Sequence, residues 1–237
     1  MCAQFMIHAR VRDLAKKLGV FDEDLRKLEQ GLARLINKRI LPYSLSPVLL
    51  CREGKKELIP MMFSLLPRWS KTRKVKFATH NARLESMNSD SQKTVWIYDR
   101  PTWRDAFTQR HCIVPMTHFI EPIYRGKWAG NMVRFLPKKG TDEVLCAAGI
   151  WEEWIGDDGE VIDSFSIITD DPSQFVRKSG HDRSPLFLTQ QGIEHWLDPN
   201  PSDRPADLVQ LLRAQSYEPS LRLEVDRPLK AGWEKRT

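Results

Sequence analysis

The sequence predicts an α+β fold, mainly an antiparallel β-sheet or a distorted barrel, surrounded by short helices. Apolar segments of strand length are separated by irregular loops, without the regular alternation of strand and helix that is typical of a parallel sheet. Two pairs of these segments flank turn-forming residues, which indicates β-hairpins. A chain of 237 residues, 41% of them hydrophobic, can bury one sizeable core.

The first predicted element is a helix that begins after Asp22 and runs to about Lys38. The Asp22 side chain can cap a helix N-terminus, and four leucines and Ile36 follow at helical spacing on one face. The first hairpin comes next, with strands over residues 48–51 and 58–62. Glu53-Gly54-Lys55-Lys56 lies between them and has the composition of a turn.

The second hairpin has strands over residues 147–155 and 161–169, joined by Gly156-Asp157-Asp158-Gly159. Pro199-Asn200-Pro201-Ser202 has the composition of a linker. We therefore expect a domain over residues 1–200 and a C-terminal extension, 201–237, packed on the same domain. Further short elements are predicted, namely helices over residues 102–109, 190–197 and 203–215 and a last strand near 221–225.

Charge and composition narrow the classes of partner. Lys plus Arg number 37 against 31 Asp plus Glu, a net charge of +6, which favours a polyanionic partner without requiring one. No apolar run approaches the roughly 18–20 residues that cross a membrane, and no signal-peptide core is visible, so we expect a cytoplasmic protein without a membrane partner. The four cysteines, at positions 2, 51, 112 and 146, are expected to be free thiols, with Cys112 and Cys146 in the core.

Two segments are basic and contain aromatic residues. Residues 64–84 contain no Asp or Glu, and residues 122–141 have the same character around Trp128. Cations that pair with phosphates and rings that stack on bases suit a nucleic-acid strand. The alternative is a solvated basic loop in which Trp69 and Phe77 fill the core. The candidate DNA contacts of the first segment are Arg68, Trp69, Lys71, Arg73, Lys74 and Lys76, followed by Arg83.

Cysteine follows the initiator methionine. If Met1 is removed, Cys2 carries a free amine and a thiol, with reference pKa values of about 7.7–8.0 and 8.5. An amine and a thiolate on neighbouring carbons can both attack one aldehyde carbon and close a five-membered thiazolidine ring. The alternative is that Cys2 is an unused terminal residue.

No motif for a metal or cofactor is present, and none is predicted. The six histidines form no pair at a metal-binding spacing, and there is no Cys-x-x-Cys or glycine-rich phosphate loop. The Gly-x-Ser-x-Gly motif of serine hydrolases is also missing. The sequence gives no indication of the oligomeric state.

Five short motifs follow the N-terminal Cys2 along the chain. They are Asn81-Ala82-Arg83-Leu84-Glu85, Cys112-Ile113-Val114-Pro115 with Phe119-Ile120-Glu121, Ala147-Ala148-Gly149-Ile150-Trp151-Glu152, Ile167-Ile168-Thr169 and His181-Asp182-Arg183-Ser184-Pro185. In this order and at these separations, they resemble the SRAP (SOS response-associated peptidase) family from Cys2 to about Leu197. Three departures from the family pattern occur, at Ala3-Gln4, Pro122 and Ser184.

The resemblance implies that Cys2, Asn81, Glu121 and His181 are catalytic and that the partner is single-stranded DNA with abasic sites. The hypothesis is that Cys2 captures the abasic aldehyde, Glu121 donates a proton and Asn81 orients the amine or sugar. His181 would move a proton at C2′ or the ring oxygen, which would allow strand cleavage. Arg83 would bind a flanking phosphate, held in place by Glu85.

Each of these residues also has a structural alternative: a turn cap for Asn81, a buried ion partner for Glu121 and a surface salt-bridge cluster for His181. Two other functions stay open. One is a peptidase or amidohydrolase with an N-terminal cysteine nucleophile, whose activity could be limited to the release of Met1. The other is a noncatalytic module that binds single-stranded DNA.

Overall fold

A computed structural model gives the fold and describes residues 4–21, 25–88, 90–140, 143–200 and 203–236. Two β-sheets and one small hairpin form its centre, with short helices around them. In chain order the strands are β1 (Gln4–Met6), β2 (Arg39–Ile40), β3 (Leu45–Arg52), β4 (Lys55–Phe63), β5 (Asn81–Arg83), β6 (Glu85–Met87), β7 (Thr94–Trp96), β8 (His111–Met116), β9 (His118–Ile123), β10 (Asn131–Pro137), β11 (Leu145–Ile155), β12 (Val161–Asp170), β13 (Ser184–Pro185) and β14 (Leu221–Pro228). The helices are α1 (Val11–Leu18), α2 (Leu25–Leu32), α3 (Arg104–Gln109), α4 (Gln174–Lys178), α5 (Gln190–Leu197) and α6 (Pro205–Ala214), with 3₁₀ turns at Ala33–Leu35, Ile97–Asp99 and Trp233–Arg236.

The strand order confirms the predicted α+β class with mainly antiparallel pairing. The first sheet has the order β14-β10-β9-β1-β2, and all its pairs are antiparallel. The second sheet has the order β11-β8-β3-β4-β12-β13, with β5 also on β12. Among the described residues, the parallel pairs are those of β12 with β4 and with β5.

Both predicted hairpins are confirmed, with longer strands than the sequence indicated. Glu53 and Gly54 join β3 to β4, and both have positive φ, 51° and 73°. Such two-residue turns match the right-handed twist of paired strands. The second hairpin pairs β11 with β12 from Gly149↔Ile167 to Ile155↔Val161.

The predicted helix over residues 22–38 is wrong in its length. Asp22 lies outside the described residues, and α2 ends at Leu32 before a 3₁₀ turn. Asn37 has φ 58°, and its backbone N–H donates to Ile7 O at 2.7 Å. The chain therefore leaves the helix early, because residues 39 and 40 must pair with β1.

The remaining predicted elements are largely confirmed. Helix α5 has the predicted bounds, α3 and α6 are one or two residues shorter at their ends, and β14 extends to Pro228. The sequence analysis did not predict α1, α4 or β10. The division of the chain at residue 200 stays a prediction. In the part of the chain that the structure describes, no helix is both long and apolar enough to span a membrane.

Aromatic rings join the two sheets in the core. Phe5 of β1 contacts Phe63 of β4 edge to face, with ring centroids 5.3 Å apart, and Phe63 stacks on Phe165 of β12 at 5.3 Å. All three side chains are fully buried. Large aromatic side chains of this kind dominate the energetics of a core, so β1 is held firmly against the second sheet.

The prediction of free, buried thiols is confirmed for Cys112 and Cys146. Both are buried, and Cys51, Cys112 and Cys146 are unpaired. Burial raises the pKa of the Cys112 thiol, and it raises that of Cys146 to about 12. Thiols in this state are poor nucleophiles, so neither is a competitor for the proposed chemistry of Cys2.

Strand β12 changes its parallel partner halfway along its length. Its residues Ser164 and Phe165 pair with β4, whereas Ile167–Thr169 pair with β5. Residues 64–80 therefore form a loop. It leaves the sheet beside Phe165 of β12 and returns to the sheet beside Ile167 of the same strand. Ser166, the residue between the two pairings, donates its hydroxyl to Thr79 O at the end of this loop.

Candidate active site

Glu121 is a carboxyl group in an apolar row. It lies on β9 between Phe119 and Ile123, and these alternate residues face the core together. Phe119 pairs with Phe5 of β1, and Glu121 pairs with Val133 of β10. The Glu121 side chain has no exposed surface. A carboxyl group in this position needs a polar partner from another element.

His181 is that partner, and a short loop after α4 places it. Its Nε2 lies 3.5 Å from Glu121 Oε2, and its side chain is 5% exposed. Gly180 precedes it with φ 94°, and a Cβ atom there would lie 2.1 Å from Arg125 O. Only glycine fits this close approach. The loop is thus fixed against the turn that follows β9.

The second nitrogen of His181 determines its tautomer. Nδ1 lies 2.7 Å from Arg183 O and 3.2 Å from Arg183 N. We assign its proton from the shorter contact, in which Nδ1 donates to the carbonyl. Nε2 is then the unprotonated nitrogen that faces Glu121. Burial lowers the pKa of His181 to about 4, although the hydrogen bond to Arg183 O raises it. The imidazole is therefore neutral at pH 7.

Strand β12 brings Asn81 to the same region. Asn81 is the first residue of β5, is 6% exposed, and pairs with Ile167. Two residues further along β12, Thr169 pairs with Arg83 on one side and with Pro185 on the other. The segments that carry Asn81 and His181 therefore flank one strand.

The predicted nucleophile, Cys2, lies outside the described residues. The first described residue, Gln4, pairs with Ile120, the neighbour of Glu121. The described chain thus begins beside the buried carboxyl group.

Arg83 belongs to a group of three guanidinium groups. Burial lowers the pKa of Arg83, the charges of Arg183 and Arg100 lower it further, and Asp182 raises it. Arg183 Nη1 also lies 3.9 Å from Asp171 Oδ1, so part of this positive charge is neutralised. The remaining positive charge favours an anion. The sequence analysis did not select Arg100 or Arg183, although Arg183 lies within the His181-Asp182-Arg183 motif.

The prediction that Glu85 holds Arg83 in place is wrong. Glu85 pairs with Arg213 of α6 at 3.1 Å. The buried residue between them, Leu84, donates its backbone N–H to Thr169 O and accepts from Ile97 N–H. The chain bends at this point, so Glu85 is directed away from Arg83.

The loop of residues 64–80 carries an exposed aromatic pair. Trp69 and Phe77 stack with ring centroids 6.3 Å apart and are 54% and 46% exposed. The alternative that these rings fill the core is therefore wrong. Exposed stacked rings are a surface on which a base can stack.

The basic side chains of this loop have different partners. Arg68 pairs with Glu152 at 2.7 Å, and Arg73 pairs with Asp158 at 2.8 Å and Glu160 at 2.6 Å. These two arginines are thus partly neutralised by the β11–β12 hairpin. Three lysines have no such ion pair among the described residues: Lys71 and Lys76, which are exposed, and Lys74, whose Nζ lies over the Tyr43 ring.

A cavity of about 890 Å³ is lined by His118, Lys138 and Lys139 among others, and Asn81, Glu121 and His181 are not among its lining residues. No group of three His, Cys, Asp or Glu residues in the described ranges could hold a metal ion.

Comparison with known proteins gives a family match and several relatives. The model of the SOS response associated peptidase (SRAP) family matches residues 1–227. The chain is 25% identical over 143 residues to the abasic site processing protein YoqW and 27% identical over 152 residues to the abasic site processing protein YoaM, both from Bacillus subtilis. It is 28% identical over 184 residues to the abasic site processing protein HMCES of Gallus gallus.

These alignments cover 60%, 64% and 66% of this chain and 58%, 60% and 52% of the respective relatives. The chain thus spans between about half and three fifths of the length of these relatives. Among solved structures, a protein from Bacteroides thetaiotaomicron has a TM-score of 0.69 at 24% identity, over 95% of this chain and 92% of that one. A protein from Bordetella bronchiseptica has a TM-score of 0.67 at 19% identity, over 95% and 100%.

The environment of His181 generates a prediction about its titration. Because burial lowers its pKa to about 4, the imidazole should stay neutral on acidification from pH 7 to about 5 and titrate near 4. The unfolded chain binds this proton at about 6.5, so this group should lower stability as the pH falls from 6.5 to 4. Two-dimensional NMR of the histidines, with His181→Gln for assignment, measures the midpoint. A midpoint near 6.5 would contradict the buried geometry.

Proposed function

The chain belongs to the SOS response associated peptidase (SRAP) family, and we propose that it captures abasic sites in single-stranded DNA by a covalent bond to Cys2. The observation that carries the proposal is the buried Glu121–His181 contact beside the start of β1. In the proposal, this contact supplies an acid and a base close to the first described strand. The names of the relatives, which are abasic site processing proteins, support this substrate.

The geometry of the first strand supports Cys2 as the nucleophile. Two residues of extended chain span at most about 7 Å. Because Gln4 is fixed opposite Ile120, this distance limits how far Cys2 can lie from the neighbourhood of Glu121. The proposal requires removal of Met1, which exposes the amine of Cys2. A cellular aminopeptidase or the protein's own thiol would perform this step.

The reaction balances without an oxidant or reductant. The ring-opened abasic sugar presents an aldehyde at C1′. The Cys2 amine adds to this carbon, one water molecule leaves, and a Schiff base forms. Sγ then adds to the same carbon while a proton is transferred to the nitrogen. The thiazolidine crosslink therefore forms with the net loss of one water.

Glu121 is the proposed proton donor for ring opening and for the departure of water. Removal from water favours the neutral form of a carboxyl group, and a neutral carboxyl group can donate. The 3.5 Å separation between Glu121 Oε2 and His181 Nε2 is longer than an ordinary hydrogen bond. In the proposal, the Glu121 carboxyl group gives its proton to the sugar oxygen.

His181 and Asn81 have complementary proposed roles. Neutral His181 keeps Nε2 as an acceptor, because Nδ1 donates to Arg183 O. It can take a proton from C2′ of the Schiff base, which breaks the C3′–O bond and gives lyase activity. Asn81 can donate and accept without a change of charge, so it can orient the amine or a sugar hydroxyl.

The proposed DNA path combines stacking and charge. Trp69 and Phe77 offer a stacking surface, and the loop that carries them runs from β4 to Asn81 of β5, two strands that both pair with β12. Lys71, Lys74 and Lys76 extend from this loop, and Arg83 would bind a phosphate with Arg183 at its side. We expect Arg68 and Arg73 to contribute less, since each is paired with a carboxylate.

A second candidate function uses the same residues. The Cys2 thiol could attack a peptide carbonyl with the amine as its base, and the family name is that of a peptidase. Peptide cleavage that depends on Cys2, without capture of abasic DNA, would favour it.

Cys2→Ala should abolish the covalent adduct and leave binding to intact single-stranded DNA within a few fold. The reason is that the substitution removes the thiol and no part of the proposed DNA path. Denaturing gels of protein mixed with an abasic oligonucleotide measure the adduct, after intact mass has shown that Met1 is gone. Cys51→Ala is the matched control and should form adduct as the wild type does. An adduct that persists in Cys2→Ala would refute the thiazolidine.

Glu121→Gln should slow adduct formation by about 10²–10⁴-fold, the usual contribution of general acid–base catalysis. Glutamine keeps the size of the side chain but carries no proton that titrates. The rate is measured at saturating DNA, so that binding does not contribute, and thermal unfolding checks the fold. An unchanged rate would assign Glu121 a structural role.

Trp69→Ala and Phe77→Ala should each weaken binding to single-stranded DNA by about 1–3 kcal/mol, since each removes part of a stacking surface. Fluorescence anisotropy with an intact oligonucleotide measures the affinity. Phe21→Ala is a suitable control, because Phe21 is 96% exposed and lies outside the loop. Equal affinities for all four proteins would exclude this loop from the DNA path.

A further inference from the structure

The strand that leads toward Cys2 is short. Its described residues are Gln4–Met6, of which Phe5 and Met6 pair with β2. Gln4, the described residue nearest to Cys2 in the sequence, pairs with Ile120 of β9. Its side chain also contacts β2, because Gln4 Oε1 accepts a hydrogen bond from Arg39 Nη1 at 2.7 Å.

Arg39 is itself fixed by Asp226, a residue of the last strand, β14. Its two terminal nitrogens bind the two carboxylate oxygens of Asp226 at 2.9 and 3.0 Å. Arg134 Nε donates to Oδ1 at 2.8 Å, and Arg227 Nη1 donates to Oδ2 at 2.7 Å. Arg227 Nη2 also lies 3.5 Å from Gln4 Oε1. Asp226 thus orders the arginines that surround Gln4.

The carboxylate of Asp226 stays charged in this setting. Its side chain is 2% exposed, whereas those of Arg39, Arg134 and Arg227 are 27%, 37% and 46% exposed. Burial raises the pKa of Asp226, but the hydrogen bonds and charges of Arg39 and Arg134 lower it to about 2. Bidentate pairing of arginine with a carboxylate also restricts orientation. The position of Arg39 is therefore constant throughout the pH range of the proposed chemistry.

This cluster is separate from the acid–base pair. Gln4 and Arg39 lie on one face of the first sheet, because Gln4 alternates with Phe5 and Arg39 pairs with Met6. Glu121 lies on the other face, with Phe5 and Phe119. Asp226 therefore does not reach the reacting atoms and acts through the strand.

The attachment of β14 itself does not need this cluster. Strand β14 has seven residue pairs with β10. Strand β2, at the opposite end of the strand order, has two residue pairs with β1 among the residues that the structure describes. The Asp226 carboxylate links the C-terminal strand to Arg39, and through Arg39 to Gln4. These residues lie 187 and 222 positions earlier in the sequence (226 − 39 and 226 − 4).

We propose that Asp226 is a positioning residue for Cys2: through Arg39 it fixes Gln4, and so presents the N-terminal amine and thiol to the pocket of Glu121 and His181. This inference rests on the proposed function. It gives the C-terminal segment a role in the reaction, although that segment contributes no group to the chemistry. It also explains why glutamine is suited to position 4, where the chain departs from the family pattern. The neutral Oε1 of Gln4 can accept hydrogen bonds from Arg39 and Arg227.

The test compares Asp226→Asn and Gln4→Ala with Glu224→Gln. Glu224 lies on the same strand and pairs with Arg222, so its substitution removes a carboxylate without touching Arg39. The first readout is the rate of adduct formation at saturating abasic DNA, at a temperature well below unfolding. The second is hydrogen exchange of the Gln4–Met6 amides, which does not depend on any chemistry at Cys2.

The expected result is a loss of about tenfold or more in rate for Asp226→Asn and Gln4→Ala, with DNA affinity within twofold of the wild type. The double variant should lose no more than either single one, because both break the same link. Exchange at Gln4–Met6 should be faster in Asp226→Asn and unchanged in Glu224→Gln.

Three results would overturn the proposal. The first is a rate within twofold of the wild type in both single variants. The second is additive losses in the double variant, which would mean that Asp226 acts independently of Gln4. The third is unchanged exchange at Gln4–Met6 in Asp226→Asn. Unchanged exchange counts against the positioning role whether or not the wild type forms an adduct. If the wild type forms no adduct although its Met1 has been removed, the proposed function itself is refuted.

Discussion

The proposed site depends on the contact between Glu121 and His181, because it places a carboxyl group and an imidazole together in a buried position. Glu121 comes from the first sheet, and His181 comes from a loop that follows β12 of the second. Two polar groups buried in this way are tolerated only if each has partners. The close packing of Gly180 on Arg125 O and of Phe5 on Phe63 preserves this geometry. Strand β1 is thereby fixed at the junction of both sheets.

The exchange of partners along β12 explains how the second sheet supplies both the site and a surface for a ligand. Where β4 ends, the chain makes the loop of residues 64–80, and where β5 begins, it provides Asn81. The loop that carries Trp69 and Phe77 therefore connects the end of β4 to the segment that carries Asn81 and Arg83. One strand thus organises groups that are far apart in the sequence, and catalytic groups on rigid strands are held more precisely than groups on loops.

Local chemistry made the hairpins predictable, whereas contacts between distant residues could not be predicted. Glu53-Gly54 specifies a tight turn by itself. The early end of α2 follows instead from the pairing of Arg39 and Ile40 with β1, which is a tertiary effect. The motifs identified Asn81, Glu121 and His181, but not the tautomer of His181, since this depends on Arg183 O. In the same way, the ion pairs of Arg68 and Arg73 depend on the second hairpin and not on their own segment.

The most direct test of the account is to find which residue carries the DNA. Wild-type protein is reacted with an abasic oligonucleotide, digested with nuclease and trypsin, and analysed by tandem mass spectrometry. The account predicts one modified peptide, residues 2–10, whose mass equals the peptide plus the sugar remnant minus one water, with the modification on Cys2. A modification on a lysine of residues 71–76, or on Cys51, would contradict capture by the N-terminal cysteine.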